Sequence, residues 1–202
     1  MRLAVFDRME ECGDAEIRRL LPSVSAQRRE KALGYKHDFG RFACLKTYEM
    51  LQNLLFESRL IPDKGMELVF RELEHGKPVL RDFPDLHFNI SHCRNALAVV
   101  VSENPVGIDI EAFRPFSEAL LRRTMNAKEA ADILAAGDSS LRFTEYWTRK
   151  EAVLKLRGCG ITEDLHHVLE GKEATETHVN EEKRYVFTLA SDYLSPNSVS
   201  LL

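Results

Sequence analysis

Apolar residues recur every three to four positions along two long stretches of the chain, and this spacing predicts two long helices. The first opens near Asp38, and its apolar stripe consists of Phe42, Leu45, Met50, Leu51, Leu54 and Leu55. The second runs from about Ser139 to Arg157, where Gly158 is expected to end it. Shorter helices are predicted for residues 14–21, 25–33 and 126–137, the last opened by a capping box at Asn126 and Glu129.

Short apolar runs bounded by polar residues, glycine or proline predict the strands. These runs are residues 3–6, 66–70, 86–90, 97–101, 106–110, 185–189 and 198–202, with a turn at 74–78. The three runs between residues 86 and 110 are predicted to be adjacent strands of one sheet, because only short polar connections separate them. Residues 163–182 are acidic and weakly patterned. The order of elements indicates two strand-plus-helix halves that meet near Asn104 and Pro105.

Composition narrows the class of protein. The chain has 202 residues, of which 44% are hydrophobic, so it can bury one sizeable core or two small lobes that share one. A net charge of −4 argues against a general nucleic-acid binder, and no apolar run approaches the length of a membrane span. The N-terminal residues resemble no signal peptide, and the four cysteines form no Cys-x-x-Cys pair. We therefore expect a cytoplasmic monomer that binds neither nucleic acid nor membranes.

Charge is nevertheless uneven. Residues 25–46 contain six basic side chains and only two acidic ones. Such a segment can hold an anion.

The run 106–111 carries the first candidate chemistry. Asp109 and Glu111 are two residues apart on a predicted strand, so their carboxylates point to the same face. Their like charges would repel unless something neutralised them, and Mg²⁺ is a cation that one or two protein carboxylates commonly bind. The alternative is an acidic sheet edge exposed to solvent.

The second long helix carries matching chemistry. Trp147, Glu151 and Lys155 are spaced at i, i+4 and i+8 and so share one helix face. If Glu151 faces the acidic strand, three carboxylates could hold one Mg²⁺, and Lys155 would offer its charge to a phosphate bound there. The alternative is an ordinary surface ion pair beside a core tryptophan.

Two shorter motifs offer further phosphate donors. Ser91 and His92 end a predicted strand, and both can donate hydrogen bonds to phosphate oxygens. The chain lacks a Gly-x-Ser-x-Gly motif around Ser91, so we interpret that serine as an anion ligand rather than a nucleophile. Lys77 adds a cation on a turn between Gly76 and Pro78. Each motif alone is more commonly structural.

Taken together and in order, these motifs resemble those of the Sfp-type 4′-phosphopantetheinyl transferases, which activate acyl and peptidyl carrier proteins. The matching segments are residues 76–78, 88–92, 106–111 and 147–155, followed by Gly158 and Gly160. A weaker match covers Arg28, Lys31, Tyr35, Lys36 and Arg41. The sequence departs from the common pattern at Cys93, where many members have serine, and in the acidic tail.

The resemblance implies an α+β protein in which two similar, pseudo-twofold-related α/β lobes grip coenzyme A at their interface. Residues 1–104 would form the lobe on the 3′-phosphoadenosine side, and residues 105–202 the lobe with the metal and the carrier protein. The implied Mg²⁺ ligands are Asp109, Glu111 and Glu151. Lys155 would contact the phosphate under attack, Lys77, Ser91 and His92 would surround the coenzyme A phosphates, and Arg28, Lys31 and Arg41 would reach the 3′-phosphoadenosine end.

The implied reaction is attack of a serine hydroxyl of an apo carrier protein on the β-phosphorus of coenzyme A, with release of 3′,5′-ADP. Catalysis would rest on Lys155 and on Glu151, and either Glu151 or a metal-bound water would take the serine proton.

Two alternatives remain. A metal-dependent nuclease or phosphohydrolase is disfavoured, because such sites usually place a lysine two residues after the second acid, where this chain has Phe113. A non-catalytic module that binds coenzyme A or a carrier protein is disfavoured by the presence of all three acids and Lys155.

Overall fold

The computed structural model describes residues 1–73, 76–160, 164–193 and 200–201, the last pair by backbone only. The first half contains β1 (Arg2–Phe6), α1 (Asp14–Leu20), α2 (Ala26–Leu33), α3 (Asp38–Glu57), β2 (Phe70–Glu72), β3 (Pro78–Leu80), β4 (His87–His92) and β5 (Leu97–Ser102). The second half contains β6 (Gly107–Ala112), α4 (Glu118–Thr124), α5 (Ala127–Ala135), α6 (Ser139–Arg157), β7 (Ala174–Asn180), β8 (Tyr185–Ser191) and β9 (Ser200–Leu201). Helices and sheets of this kind confirm the predicted α+β class.

The helices form where their sequence signals stand. The whole predicted apolar stripe of α3 is buried. Ser25 caps α2 by accepting a hydrogen bond from the Arg28 amide, and Asn126 and Glu129 form the predicted capping box of α5. Helix α6 ends at Gly158, whose φ of 72° lies in the left-handed region that glycine tolerates. None of the described helices is both long and apolar enough to cross a membrane.

Strand β5 lies at the centre of the packing. It pairs with β4 and β1 in a sheet of order β4-β5-β1-β9, while β6, β8 and β7 form a second sheet in the order β6-β8-β7. Leu97, Val99 and Val101 of β5 face the core that contains α3. Ala98 and Val100 face the opposite way, into a core shared with the second sheet. The first sheet is therefore the layer between α3 and the second half.

The prediction that the three runs between residues 86 and 110 are adjacent strands of one sheet is confirmed for β4 and β5, which pair antiparallel, and is wrong for β6. Within the described ranges, β6 has a backbone partner only in β8. On its other edge the amides of Ile108 and Ile110 donate to the side chains of Asn89 at 3.4 Å and Ser91 at 3.2 Å. Polar side chains at alternate positions of β4 thus replace the backbone of a neighbouring strand and pair the amides of Ile108 and Ile110.

The strand predicted at residues 66–70 is also wrong, since strand structure begins only at Phe70. Side chains satisfy the backbone of this segment instead. The hydroxyl of Tyr48 accepts from the Leu68 amide at 2.8 Å, and the Gln52 amide group donates to the Met66 carbonyl at 2.9 Å. Part of the turn predicted at 74–78 lies outside the described residues, as do residues 198, 199 and 202 of the last predicted strand.

Strand β7 was not predicted from the sequence, because its buried and exposed positions alternate only weakly. It arises within the acidic segment 163–182, of which residue 163 lies outside the described part of the chain.

The two halves repeat one order of elements. In each, a strand leads to short helices, a long helix and a hairpin, and the first strand pairs antiparallel with the last strand of the hairpin, β1 with β5 and β6 with β8. The long helices have 20 and 19 residues. Strand β9 nevertheless pairs with β1, in parallel. The boundary at residues 104 and 105 and the pseudo-twofold relation stay predictions.

Candidate active site

Three elements bring a lysine, a serine and an aspartate together where the two halves meet. The ammonium of Lys155 on α6 donates to Asp109 Oδ1 of β6 at 2.7 Å and to Ser91 Oγ of β4 at 2.8 Å. Ser91 in turn donates to Asp109 Oδ1 at 2.8 Å. The motifs on β4, β6 and α6 therefore form one site.

Gly107 allows β6 to approach α6 this closely. A Cβ at this position would overlap the carbonyl oxygen of Ala152 and lie 2.6 Å from the amide nitrogen of Leu156. Both are backbone atoms of α6, so a side chain would have to push the helix away. The absence of a side chain at residue 107 thus keeps Asp109 within reach of Lys155.

Asp109 is buried and Glu111 and Glu151 are half-buried, and these carboxylates are incompletely paired. Asp109 is only 4% exposed, and its Oδ2 has no hydrogen-bond partner among the described residues. The same holds for Glu151 Oε1. Burial, and then the charge of Asp109, raise the pKa of Glu111 and that of Glu151. The charge of Asp109 therefore disfavours the charged forms of Glu111 and Glu151, and Arg114 and Lys155 only partly offset this.

These acids fit a hard divalent cation by donor type. Carboxylate oxygens suit Mg²⁺, and the unpaired oxygens of Asp109 and Glu151 would gain a partner from it. As the side chains stand, however, no three His, Cys, Asp or Glu residues in the described ranges are grouped closely enough to hold a metal. Lys155 supplies the positive charge that faces Asp109 instead.

A cleft of about 460 Å³ opens in the first half and is lined by cations. Arg28 and Lys31 of α2 line it together with Arg71 and His92. The Arg28 guanidinium lies 4.5 Å from the Phe70 ring centroid, and its buried Nε has no partner among the residues described. Burial, and then the charge of Lys155, lower the pKa of His92. Glu72 also lines the cleft and lies 3.8 Å from Lys31, so the remaining cations can hold an anion.

A second cleft of about 230 Å³ adjoins the first, because Pro78 and Ile90 line both. Glu151 and Lys155 line it from α6. Its opposite side includes the Gly76–Lys77–Pro78 turn. The two clefts together extend from Arg28, Lys31 and Arg71 in the first half to Glu151 and Lys155 in the second half.

The structure does not group all predicted residues. Arg41 donates to the Tyr35 carbonyl at 3.0 Å and to Asp38 at 3.1 Å, and it is not among the residues that line either cleft. Lys77 lines the second cleft, but its ammonium donates to backbone carbonyls at the end of α6. The remaining predicted residues lie in the cluster, beside it or in the first cleft: Arg28, Lys31, Ser91, His92, Asp109, Glu111, Glu151 and Lys155.

Sequence reasoning missed Arg71 and the role of Arg114 in this site. Arg71 lies on β2 in a segment without a recognisable motif, so nothing in the sequence distinguished it. Arg114 follows Glu111 by three residues, approaches it to 4.0 Å and lies 5.1 Å from the Trp147 ring centroid. The short spacing between Glu111 and Arg114 was the available signal.

Comparison with known proteins identifies a family and several relatives to which the chain is similar. A family model described as the 4′-phosphopantetheinyl transferase superfamily matches residues 105–195. This range includes β6 and α6, which carry the acids and Lys155. The chain is 32% identical over 152 residues to 4′-phosphopantetheinyl transferase psf-1 of Bacillus pumilus, a match that covers 74% of this chain and 64% of that protein.

Sfp of Bacillus subtilis is 30% identical over 149 residues, which cover 73% of this chain and 66% of Sfp. A shorter match of 94 residues at 42% identity is found with HetI of Nostoc, covering 43% of this chain and 40% of HetI. The chain thus spans slightly less than two thirds of the length of the Bacillus relatives. The chain is thus similar to 4′-phosphopantetheinyl transferases over about three quarters of its length, and the predicted resemblance to Sfp-type members is confirmed.

Proposed function

We propose that this chain transfers the 4′-phosphopantetheine group of coenzyme A to a serine of an apo acyl or peptidyl carrier protein and releases 3′,5′-ADP. The observation that carries the proposal is the cluster of Lys155, Asp109 and Ser91, with unpaired carboxylate oxygens on Asp109 and Glu151 in the described part of the chain. Half-buried acids of raised pKa near a lysine, such as Glu111 and Glu151, are typical of a site that handles phosphate and protons. The names of the relatives support the same reaction.

In this proposal, the two clefts would bind different parts of coenzyme A and so fix its orientation. Its 3′-phosphoadenosine end would occupy the larger cleft, where Arg28 and Lys31 offer positive charge and His92 offers a hydrogen-bond donor. The pyrophosphate would then lie near Lys155, at the boundary shared with the smaller cleft. Arg41 would contribute through long-range charge alone, given its present partners.

Mg²⁺, when bound, would neutralise charge on the pyrophosphate. Asp109, Glu111 and Glu151 would hold it, because their oxygens are hard donors and their mutual repulsion would be relieved.

The chain's own residues account for the remaining steps. The serine oxygen of the carrier attacks the β-phosphorus, and the electron pair of the broken P–O bond leaves with 3′,5′-ADP. Either Glu151, whose pKa is raised by burial and by Asp109 in the absence of metal, or a water molecule takes the serine proton. Lys155 donates to a phosphoryl oxygen and offsets charge as it develops. Such a reaction suits a monomer in the cytoplasm, which remains our prediction.

The test is incubation of the purified chain with coenzyme A, Mg²⁺ and candidate apo carrier proteins, read by mass spectrometry of the carrier. We expect the carrier to gain one phosphopantetheine group and 3′,5′-ADP to appear in equal amount. Coenzyme A binding without any mass gain would favour the non-catalytic module. Hydrolysis of coenzyme A or of a simple phosphodiester would favour the phosphohydrolase.

A further inference from the structure

Lys77 bridges the two halves through backbone atoms. It lies on the turn between β2 and β3 in the first half, and its ammonium donates to the carbonyl oxygens of Lys155 at 2.8 Å and Leu156 at 3.3 Å. Both carbonyls belong to the last turn of α6 in the second half. The contact thus joins a hairpin to the helix end that carries Lys155.

The end of a helix is a natural place for such a cation. The last four carbonyls of a helix lack intrahelical partners, and the helix dipole makes this end negative. The stem of Lys77 is also close to the terminating glycine, because a Cβ on Gly158 would lie 3.4 Å from Lys77 Cδ. Burial lowers the pKa of Lys77, which agrees with an ammonium enclosed between two elements.

Lys155 is therefore held at two points. Its carbonyl accepts from Lys77, while its ammonium donates to Ser91 and Asp109. If the last turn of α6 frays, the backbone of Lys155 shifts, and a shift of about 1 Å can cost about a hundredfold in rate.

We propose that Lys77 is a positioning residue that acts through Lys155, by fixing the last turn of α6, rather than a ligand of the coenzyme A phosphates. This inference rests on the proposed function, because it assigns Lys155 to the transferring phosphate. It revises the role that the family resemblance implied for Lys77. The assignment distinguishes two kinetic outcomes, since a positioning residue changes kcat and a ground-state phosphate ligand changes KM.

The kinetic test uses Lys77→Met, which keeps the length of the stem but removes the donor. We expect kcat to fall about tenfold, the equivalent of one charge-assisted hydrogen bond, with KM for coenzyme A changed less than about twofold. Lys77→Arg should recover most of kcat, because it keeps a cation near the same carbonyls. A higher KM at unchanged kcat would overturn the proposal.

Combining variants tests whether Lys77 acts through Lys155. Adding Lys77→Met to Lys155→Met should cause little further loss, since the group to be positioned is already gone. Fully additive losses would contradict the proposal. Lys183→Met, on an exposed loop residue away from both clefts, is the matched control and should behave as the wild type.

A measurement without turnover separates this inference from the proposed function. Hydrogen exchange of amides 155–158 should be about tenfold faster in Lys77→Met than in the wild type, while coenzyme A affinity by calorimetry stays within about twofold. If the wild type modifies no carrier, the proposed function fails, but this exchange result still decides the role of Lys77 in the helix. Unchanged exchange, or a large loss of coenzyme A affinity, would overturn the inference.

Discussion

The long helices of the two halves carry carboxylates in opposite situations. Glu49 on α3 accepts from Lys46 at 2.7 Å and from Arg19 at 2.8 Å. Burial alone would raise its pKa, but these hydrogen bonds outweigh burial and lower it. Glu151 on α6 keeps an oxygen without a partner among the described residues, and its pKa is raised by burial and by Asp109. Glu49 therefore stabilises the first half, whereas the surroundings of Glu151 disfavour its charged form.

The first strands of the halves differ in the same way. Strand β1 (Arg2–Phe6) carries no acid, whereas β6 carries Asp109 and Glu111. The order of elements is thus similar in the two halves, but only the second half carries carboxylates on its first strand, and these carboxylates belong to the candidate active site. Unpaired buried charge costs stability, so its retention in the second half points to chemistry rather than to folding.

Replacing Glu151 on α6 and Glu49 on α3 should give the largest difference between the two halves. We expect Glu151→Gln to lower kcat by about a hundredfold or more, the usual contribution of a general base, without loss of thermal stability in the absence of metal. Glu49→Gln should leave kcat unchanged and lower the free energy of unfolding by about 1 kcal/mol, because it weakens charge-assisted hydrogen bonds. Steady-state kinetics and thermal unfolding of both variants measure this difference. Equal loss of activity in both would show that the contrast between the halves is not functional.

Gly107→Ala tests the close approach that creates the site. The added methyl group would overlap the backbone of α6, so we expect a loss of about 1–3 kcal/mol in the free energy of unfolding. Activity should fall as well, since Asp109 and Lys155 move apart. Gly137→Ala is the matched control, because a Cβ there meets no atom within 4 Å among the described residues. Chemical denaturation compares the two, and a neutral Gly107→Ala would refute the steric argument.

Side chains of the site that share one face of a single helix or strand could be predicted from their spacing in the sequence. The helix face with Glu151 and Lys155, and the strand face with Asp109 and Glu111, follow from the periods of helix and strand. The two faces come together because β6 belongs to a different sheet from β4 and β5. The short connection after β5 had instead indicated that β6 continues the same sheet. The bonds from the β6 amides to Asn89 and Ser91, and from Lys77 to α6, join residues far apart in sequence. No periodicity encodes such contacts, so only the resemblance pointed to the assembled site.

The pH dependence of the free energy of unfolding should show that Glu49 is paired with Lys46 and Arg19 in the first half. Hydrogen bonding to Lys46 and Arg19 lowers the folded pKa of Glu49, so its contribution is present above its unfolded pKa, near 4.5, and is lost as pH falls through the folded pKa. The stability difference between wild type and Glu49→Gln should therefore be constant above about pH 5.5 and shrink below pH 4.5. Urea denaturation across this range measures it. Lys46→Met should reduce the same acid-dependent loss, and a difference that grows on acidification would contradict the assigned sign.

The smallest expected effect concerns the first short helix of each half. Arg122 on α4 pairs with Glu118, and Arg18 on α1 pairs with Asp14, both at i, i+4 spacing with highly exposed side chains. If the proposed function holds, the family resemblance implies a carrier that is acidic around the modified serine, and we expect it to approach the half that holds the acids and Lys155. Arg122 and its exposed neighbour Arg123 would then attract it by charge.

Reversal of Arg122 and Arg123 to glutamate should raise KM for the carrier a few fold at low salt, and less above about 0.1 M salt, where the Debye length falls to about 10 Å. KM for coenzyme A should hardly change, because these exposed arginines line neither cleft. Arg18→Glu reverses an equivalent charge in the first half and should leave both KM values unchanged. Initial rates at several salt concentrations measure all three. If Arg18→Glu raised KM for the carrier as much per reversed charge as the double reversal on α4, the effect would come from overall charge, and docking could not be assigned to the second half.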